Sequence, residues 1–166
     1  MTRAAIRFLI LDVDGVLTDG RLTLDREGKE PCKTFHVHDG AAIQRWRASG
    51  GTVAILSGRR SDAVAARAAE LGIARVRQGV PADEKGAVLE GLLAETGIDA
   101  LDVCYIGDDL PDLPAMAQCG FAVAVADAAP PVKRAANYVT RRPGGHGAVA
   151  EVIDLLLQES VGARQA

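Results

Sequence analysis

Short, nearly continuous apolar runs punctuate this chain, and the first of them stops abruptly at an aspartate. That run is Ala4-Ala5-Ile6-Arg7-Phe8-Leu9-Ile10-Leu11, followed by Asp12. Runs of this length suit strands buried on both faces, as in a parallel sheet. Comparable runs occupy 52–56, 102–106 and 121–125, with a shorter one at 137–140. Between them, apolar residues recur at helical spacing: Val64, Ala68 and Leu71; Val88, Leu89, Leu92 and Leu93; Val149, Val152, Ile153, Leu156 and Leu157. Asp39 before residues 41–46, Ser61 before Val64 and Asp83 before Val88 stand where N-caps belong. The alternation predicts an α/β fold, a doubly wound parallel sheet of Rossmann-like type, in a single domain over 1–166.

One segment breaks the alternation. Leu22 and Leu24 alternate with polar residues, Asp25-Arg26-Glu27-Gly28 reads as a turn, and Phe35 and Val37 alternate again. This predicts a β-hairpin over about 19–37, inserted straight after the first strand. The interval from Asp14 to Ser57 is filled by that hairpin and one helix, and the interval from Ser57 to Lys85 is shorter still. Neither leaves room for a cap domain.

Composition narrows the partners. With 48% hydrophobic and 25% charged residues the chain is an ordinary globular one, and its net charge of −3 offers no basic field for nucleic acid or anionic lipid. Any anion must be captured by a local arrangement. The three cysteines are odd in number and lack CxxC spacing, and Cys104, inside an apolar run, reads as a core residue. The first apolar run is far short of the ~20 residues that span a membrane, and no cleavage pattern follows it. The expected address is the cytoplasm.

Ligands of open α/β sheets bind beyond the carboxyl ends of the strands. Here those ends read Asp12-Val13-Asp14-Gly15, Ser57-Gly58-Arg59 and Gly107-Asp108-Asp109-Leu110-Pro111-Asp112, with Lys85 opening a helix between the second and third. A phosphomonoester dianion repels a carboxylate nucleophile, so attack requires prior neutralisation of charge. Mg²⁺ does this, and it prefers oxygen sites with one or two carboxylates. Asp12 and Asp108 can supply them from neighbouring strand ends. Ser57 can donate to a phosphoryl oxygen, and Lys85 can offset remaining negative charge. Asp14 can protonate the leaving alcohol and later deprotonate the attacking water. Singly, each feature also reads as a cap, a turn or a solvated side chain; in this order, each after its own strand, they read as one phosphoryl-transfer site.

The series Asp12-x-Asp14-Gly-Val, Leu56-Ser57-Gly58-Arg59, Lys85 and Gly107-Asp108-Asp109-x-x-Asp112 resembles the four motifs of the haloacid dehalogenase superfamily. Within it, the hairpin, Phe35-His36-Val37-His38-Asp39-Gly40 and Gly144-Gly145-x-Gly147-Ala148-Val149 resemble the capless 3-deoxy-D-manno-octulosonate 8-phosphate (Kdo 8-phosphate) phosphatases of lipopolysaccharide biosynthesis. The resemblance runs from about Arg7 to Leu157. It implies Asp12 as nucleophile, Asp14 as general acid/base, and Mg²⁺ on Asp12, the Asp14 backbone carbonyl and Asp108. It implies phosphate binding by Ser57, Gly58 and Lys85, and an organising role for Asp112. Asp109 either shares that role or caps the following helix. The implied substrate is a small phosphorylated sugar acid, whose carboxylate needs a cation. Arg59 is the first candidate, since related phosphatases of nine-carbon keto acids carry glutamate there, and Arg67 is the second, with a solvated helix arginine as its other reading. The implied assembly is a homotetramer joined through the hairpins.

The chain also departs from its subfamily. His146 and Ala150 stand where arginines are expected. The Gly144-Gly145 pair is either a ligand loop or a plain turn into the last helix. His36 and His38 lack a third ligand of suitable spacing and read as hairpin surface or interface, not as a zinc site. Outside the enzymes, a phospho-acceptor signalling domain also places acids and Mg²⁺ at strand ends, and an interaction module without catalysis is a third reading.

Overall fold

The computed structural model describes the backbone of residues 6–163 and the side chains as far as Gln158. In chain order its elements are β1 (Phe8–Leu11), α1 (Val37–Ala48), β2 (Thr52–Ser57), α2 (Asp62–Glu70), β3 (Arg75–Gln78), α3 (Lys85–Thr96), β4 (Val103–Gly107), α4 (Leu113–Met116), β5 (Phe121–Ala124), α5 (Pro130–Ala135), β6 (Tyr138–Val139) and α6 (Ala148–Ala163). The strands form one parallel sheet in the order β3-β2-β1-β4-β5-β6. All four residues of β1 are fully buried, which is what its unbroken apolar sequence requires of a central strand covered on both faces.

The topology places the site. From β1 the chain builds outward through β2 to β3, then returns to β4 on the other side of β1 and builds outward again. The reversal between β1 and β4 is a topological switch point, where the loops leaving the two strands diverge and open a crevice at the carboxyl edge. Leu11 lies level with Ile55 of β2 and Ile106 of β4, so the residues that follow all three strands emerge together.

Behind the sheet, α1 packs on α6. Asp39, in the first turn of α1, accepts a hydrogen bond from the backbone N–H of Ala150 at 2.8 Å, tying the start of α6 to α1. The cost is visible on the same side chain: Oδ2 of Asp39 is buried without a hydrogen-bond partner among the described residues, and burial raises its pKa.

The structure differs from the sequence reading in several places. The expected turn forms, with Asp25 N–H donating to Lys29 O at 2.8 Å and Gly28 N–H to Asp25 O at 3.0 Å, but residues 19–36 contain no strand ladder. Val37 already belongs to α1. Two strands need a further apolar surface to hold a ladder, and Leu22 and Leu24 are half exposed, with nothing among the described residues to cover them. Asp39 is not an N-cap; His36 is, its Nδ1 accepting from His38 N–H at 3.3 Å, which puts both histidines at the start of a helix. Asp83 lies in a short 3₁₀ turn ahead of α3, whereas Ser61 does occupy the N-cap position of α2. Strand β3, Arg-Val-Arg-Gln, went unread because at the sheet edge it is only half buried and carries little apolar sequence. Ala4 and Ala5 of the first run and the tail beyond residue 163 lie outside the described residues. Among the described residues no helix is long and apolar enough to cross a membrane.

Candidate active site

Asp12 follows β1 directly, its backbone N–H donating to Ile106 O at 3.1 Å, so the last ladder rung of the sheet fixes its Cα. The chain then makes one wide turn over Val13–Leu17, in which Gly15 takes φ +89. A side chain is excluded there twice over: the positive φ is strained for an L-residue, and a Cβ on Gly15 would fall 2.1 Å from Asp108 Oδ2. Thr18 closes the turn, its hydroxyl donating to Val13 O at 3.3 Å and accepting from the N–H groups of Gly15 and Gly20.

The glycine pair of the late segment holds this loop from outside. Gly145 N–H donates to Val16 O at 2.9 Å, and a Cβ on Gly144 would fall 1.7 Å from Gly15 O. Backbone approaches backbone too closely for any side chain, so the pair serves as packing against the loop after β1. Neither His146 nor Ala150 lines the site; the first is exposed and the second is buried in α6.

Lys85, 3% exposed at the first turn of α3, donates from Nζ to Asp12 Oδ1 at 2.8 Å and to Asp112 Oδ1 at 2.7 Å. Burial alone would lower its pKa, but the Asp12 and Asp112 carboxylates outweigh that and hold it above the ordinary value. Asp112 is saturated. Its Oδ1 also accepts from Tyr105 OH at 2.8 Å, and its Oδ2 accepts from the backbone N–H groups of Asp108 at 3.0 Å and Asp109 at 3.3 Å. These contacts tie the loop after β4 to Lys85 and to Tyr105 in the core. Asp109 caps the short turn Leu110–Asp112, accepting from Leu110 N–H at 2.8 Å.

Asp108 is different. Its carboxylate takes no hydrogen bond from any described residue and faces the cavity beside Asp12. Asp12, Asp108 and Asp112 each bring an oxygen within 4.8 Å of the others. Three carboxylates against one ammonium leave uncompensated negative charge. Burial, then the neighbouring carboxylates, push Asp108 up to about 8; burial, then Asp112, push Asp12 up to about 7 against the opposing pull of Lys85. Hard oxygen donors with excess negative charge, two of them open to a cavity, are a fit for a small divalent cation.

That cavity has a volume of about 520 Å³ and is lined by Asp12, Asp14, Gly58, Arg59, Lys85 and Asp108 among others. Ser57 ends β2 beneath it, buried, its hydroxyl accepting from Arg59 N–H at 3.3 Å. Arg59 reaches the rim, with Nη2 3.4 Å from Glu30 Oε2. Arg67 does not come to the site. It pairs with Glu70 at 2.7 Å, stacks 6.0 Å from the Phe35 ring centroid, and lines a separate groove with Val37. Eight positions along the chain from Arg59, it lies on α2, which runs away from the carboxyl edge.

Sequence reasoning missed four residues. Lys33, on the arm between Thr18 and α1, ion-pairs with Asp14 and, at 2.7 Å, with Glu30. Tyr105 carries Asp112 from within the core, where burial first, and then the nearby carboxylates, raise its pKa well above the ordinary value. Thr18 is the fourth, after Glu30. None has a motif of its own that sequence reasoning could have used.

A family profile for haloacid dehalogenase-like hydrolases matches residues 76–153. The 3-deoxy-D-manno-octulosonate 8-phosphate phosphatase KdsC of Yersinia pestis is 47% identical over 154 residues, covering 93% of this chain and 81% of that one. Its Escherichia coli K12 counterpart is also 47% identical, over 92% of this chain and 79% of that one. The cobalt-bound deoxy-D-mannose-octulosonate 8-phosphate phosphatase (YrbI) of Haemophilus influenzae superposes with a TM-score of 0.90 at 44% identity, covering 95% of this chain and 90% of that one. The Moraxella catarrhalis 3-deoxy-D-manno-octulosonate 8-phosphate phosphatase, solved with magnesium, phosphate and KDO, superposes with a TM-score of 0.88 at 42% identity, covering 93% and 87%.

Proposed function

The chain belongs to the 3-deoxy-D-manno-octulosonate 8-phosphate phosphatase family of haloacid dehalogenase-like hydrolases and is a phosphoric monoester hydrolase; from that premise we propose that it uses Mg²⁺ and an aspartyl-phosphate on Asp12 to hydrolyse Kdo 8-phosphate. As a hydrolase it is not the phospho-acceptor switch that acidic strand ends also allow. The observation that carries the mechanism is the open, excess-charged pair Asp12 and Asp108 at the β1/β4 switch point.

The carboxylates of Asp12 and Asp108 and the backbone carbonyl of Asp14 would hold Mg²⁺, which when bound would supply the positive charge that lets a carboxylate approach a phosphate dianion. The remaining chemistry belongs to the chain. Lys85 holds one Asp12 oxygen at 2.8 Å, which fixes the orientation of the carboxylate. An Asp12 oxygen attacks phosphorus, and the bond from phosphorus to the sugar oxygen breaks as Asp14 gives that oxygen a proton. Water then attacks the phosphorus of the aspartyl-phosphate, loses its proton to Asp14 and restores the Asp12 carboxylate. Ser57 and the Gly58 backbone at the end of β2 serve the phosphoryl oxygens.

Arg59 at the rim supports the acidic-sugar assignment, since it is a cation on the cavity wall placed to meet a substrate carboxylate. The half-exposed Leu22 and Leu24 and the exposed Val37 support the homotetramer, whose neighbours would cover them and wall a site that has no cap domain. The proposed address is the cytoplasm. The deciding measurement compares kcat/KM for Kdo 8-phosphate, a nine-carbon keto-acid 9-phosphate and hexose phosphates in Mg²⁺. Preference for Kdo 8-phosphate supports the reading; equal turnover of a hexose phosphate lacking the carboxylate defeats the substrate assignment. Acid-quenched enzyme carrying label from ³²P-substrate on Asp12 tests the intermediate separately.

A further inference from the structure

We propose that Lys33 is the positioning residue of the general acid/base, holding the Asp14 carboxylate toward the ester oxygen; this rests on the role assigned to Asp14 above. The carboxylates of the site are not held equally. Asp12 is gripped by Lys85, and Asp112 by four donors. For the Asp14 carboxylate, Lys33 is the only hydrogen-bond partner among the described residues. Asp14 sits in the wide turn after β1 with non-helical backbone angles, so no helix neighbours confine its rotamer.

Lys33 is itself held. Its side chain is 2% exposed, although it comes from an arm that is otherwise mostly accessible, and its Nζ also meets Glu30 Oε1 at 2.7 Å. Glu30 in turn reaches Arg59 on the cavity rim. A desolvated ammonium pinned from a second side gives Asp14 a fixed reference point that a solvated lysine could not. The ammonium also stabilises the carboxylate that remains once Asp14 has given its proton to the leaving oxygen. A lysine serving only to tie the arm to the domain would need no contact with a group that moves protons.

Leaving-group dependence separates the two roles. Departure of a sugar alkoxide needs a proton from Asp14, whereas p-nitrophenolate departs without one. Because kcat/KM reports steps through leaving-group departure, loss of a positioned general acid falls on the alkyl ester. We expect Lys33→Met to lower kcat/KM for Kdo 8-phosphate by roughly 10- to 100-fold, the lower part of what general acid catalysis contributes. For p-nitrophenyl phosphate the loss should be about 3-fold or less, by the same reasoning, and Lys33→Arg should recover most of the difference. The single variant leaves the Asp14 and Glu30 carboxylates facing each other, so Lys33→Met/Glu30→Gln is the companion that keeps charge balanced if the first folds poorly. An equal loss with both substrates in the two variants, or no loss with either, overturns the proposal. Asp14→Asn run in parallel must show the same selectivity; if it does not, the role of Asp14 has failed, and the proposal with it.

Discussion

Lys85 Nζ stands 2.8 Å from Asp12 Oδ1 and, on its other side, 2.7 Å from Asp112 Oδ1, so the proposed nucleophile shares a buried counter-ion with the carboxylate that ties down the β4 loop. Removing that ammonium leaves two buried carboxylates without compensation. Lys85→Met should therefore cost stability as well as turnover, about 3–5 kcal/mol by the usual cost of breaking a buried pair. Urea unfolding in chelator measures the first, and steady-state kinetics the second. A variant as stable as the parent would show that the pair contributes little to the fold.

Asp12→Asn should behave in the opposite way. It deletes the attacking oxygen and a proposed metal ligand, so kcat should fall by at least ~10³, a loss of about 4 kcal/mol in transition-state stabilisation. It also removes a carboxylate whose ionisation the fold opposes, so the thermal midpoint should hold or rise. More than a few per cent of parental activity, with mass spectrometry excluding deamidation, would reassign the nucleophile.

Stability without metal should depend on pH through Asp12 and Asp108. Both carboxyls have ordinary values of 3.8 and are raised in the fold, to about 7 and about 8. The protonated forms are favoured by the fold, so their contribution is fully present below about pH 4 and is lost as pH rises through 7 to 8. In chelator, Asp108→Asn should gain on the parent as pH goes from 5 to 8. Each ~1 kcal/mol of gain moves the midpoint of a domain this size by about 2–4 °C. Parallel midpoints for the two proteins across that range would remove Asp108 as the source.

Metal dependence is the mirror of this. Mg²⁺ should raise the midpoint more at pH 8 than at pH 5, because binding requires the ionised carboxylates. Activity should vanish in excess chelator and return with Mg²⁺. Ca²⁺, which takes more ligands at longer distances, should bind and inhibit. Full activity in chelator would end the metal-dependent mechanism.

Gly144→Ala places a Cβ 1.7 Å from the carbonyl of Gly15, and neither backbone can yield without moving the loop that carries Asp14. The variant should lose activity even where it folds, while Gly91→Ala, at an open position of α3, should be silent or stabilising by a few tenths of a kcal/mol. Circular dichroism and kcat on both proteins check the pair. Retained activity in Gly144→Ala would show the loop to be more pliant than its packing implies.

The sequence alone determined most of the sheet and the list of candidate reacting groups, because both are written locally. A strand buried on both faces must be apolar throughout, and so Phe8–Leu11, Thr52–Ser57, Val103–Gly107 and Phe121–Ala124 could be read from hydrophobicity, with Asp12, Ser57 and Asp108 marked by the abrupt end of each run. Tertiary structure decided what depends on contacts between distant segments. Strand β3 is an edge whose pairing comes from β2 and not from its own composition. The hairpin lost its ladder for want of a covering surface, and its arm instead delivered Lys33 to Asp14, nineteen positions away. Arg59 and Arg67 were both candidate cations until the fold left Arg59 at the rim, at the end of β2, and the direction of α2 carried Arg67 to Phe35. Charge compensation is of the same kind: that Lys85 serves Asp12 and Asp112 at once, while Asp108 is left open, follows from where three strand ends meet, and no single segment encodes that meeting point.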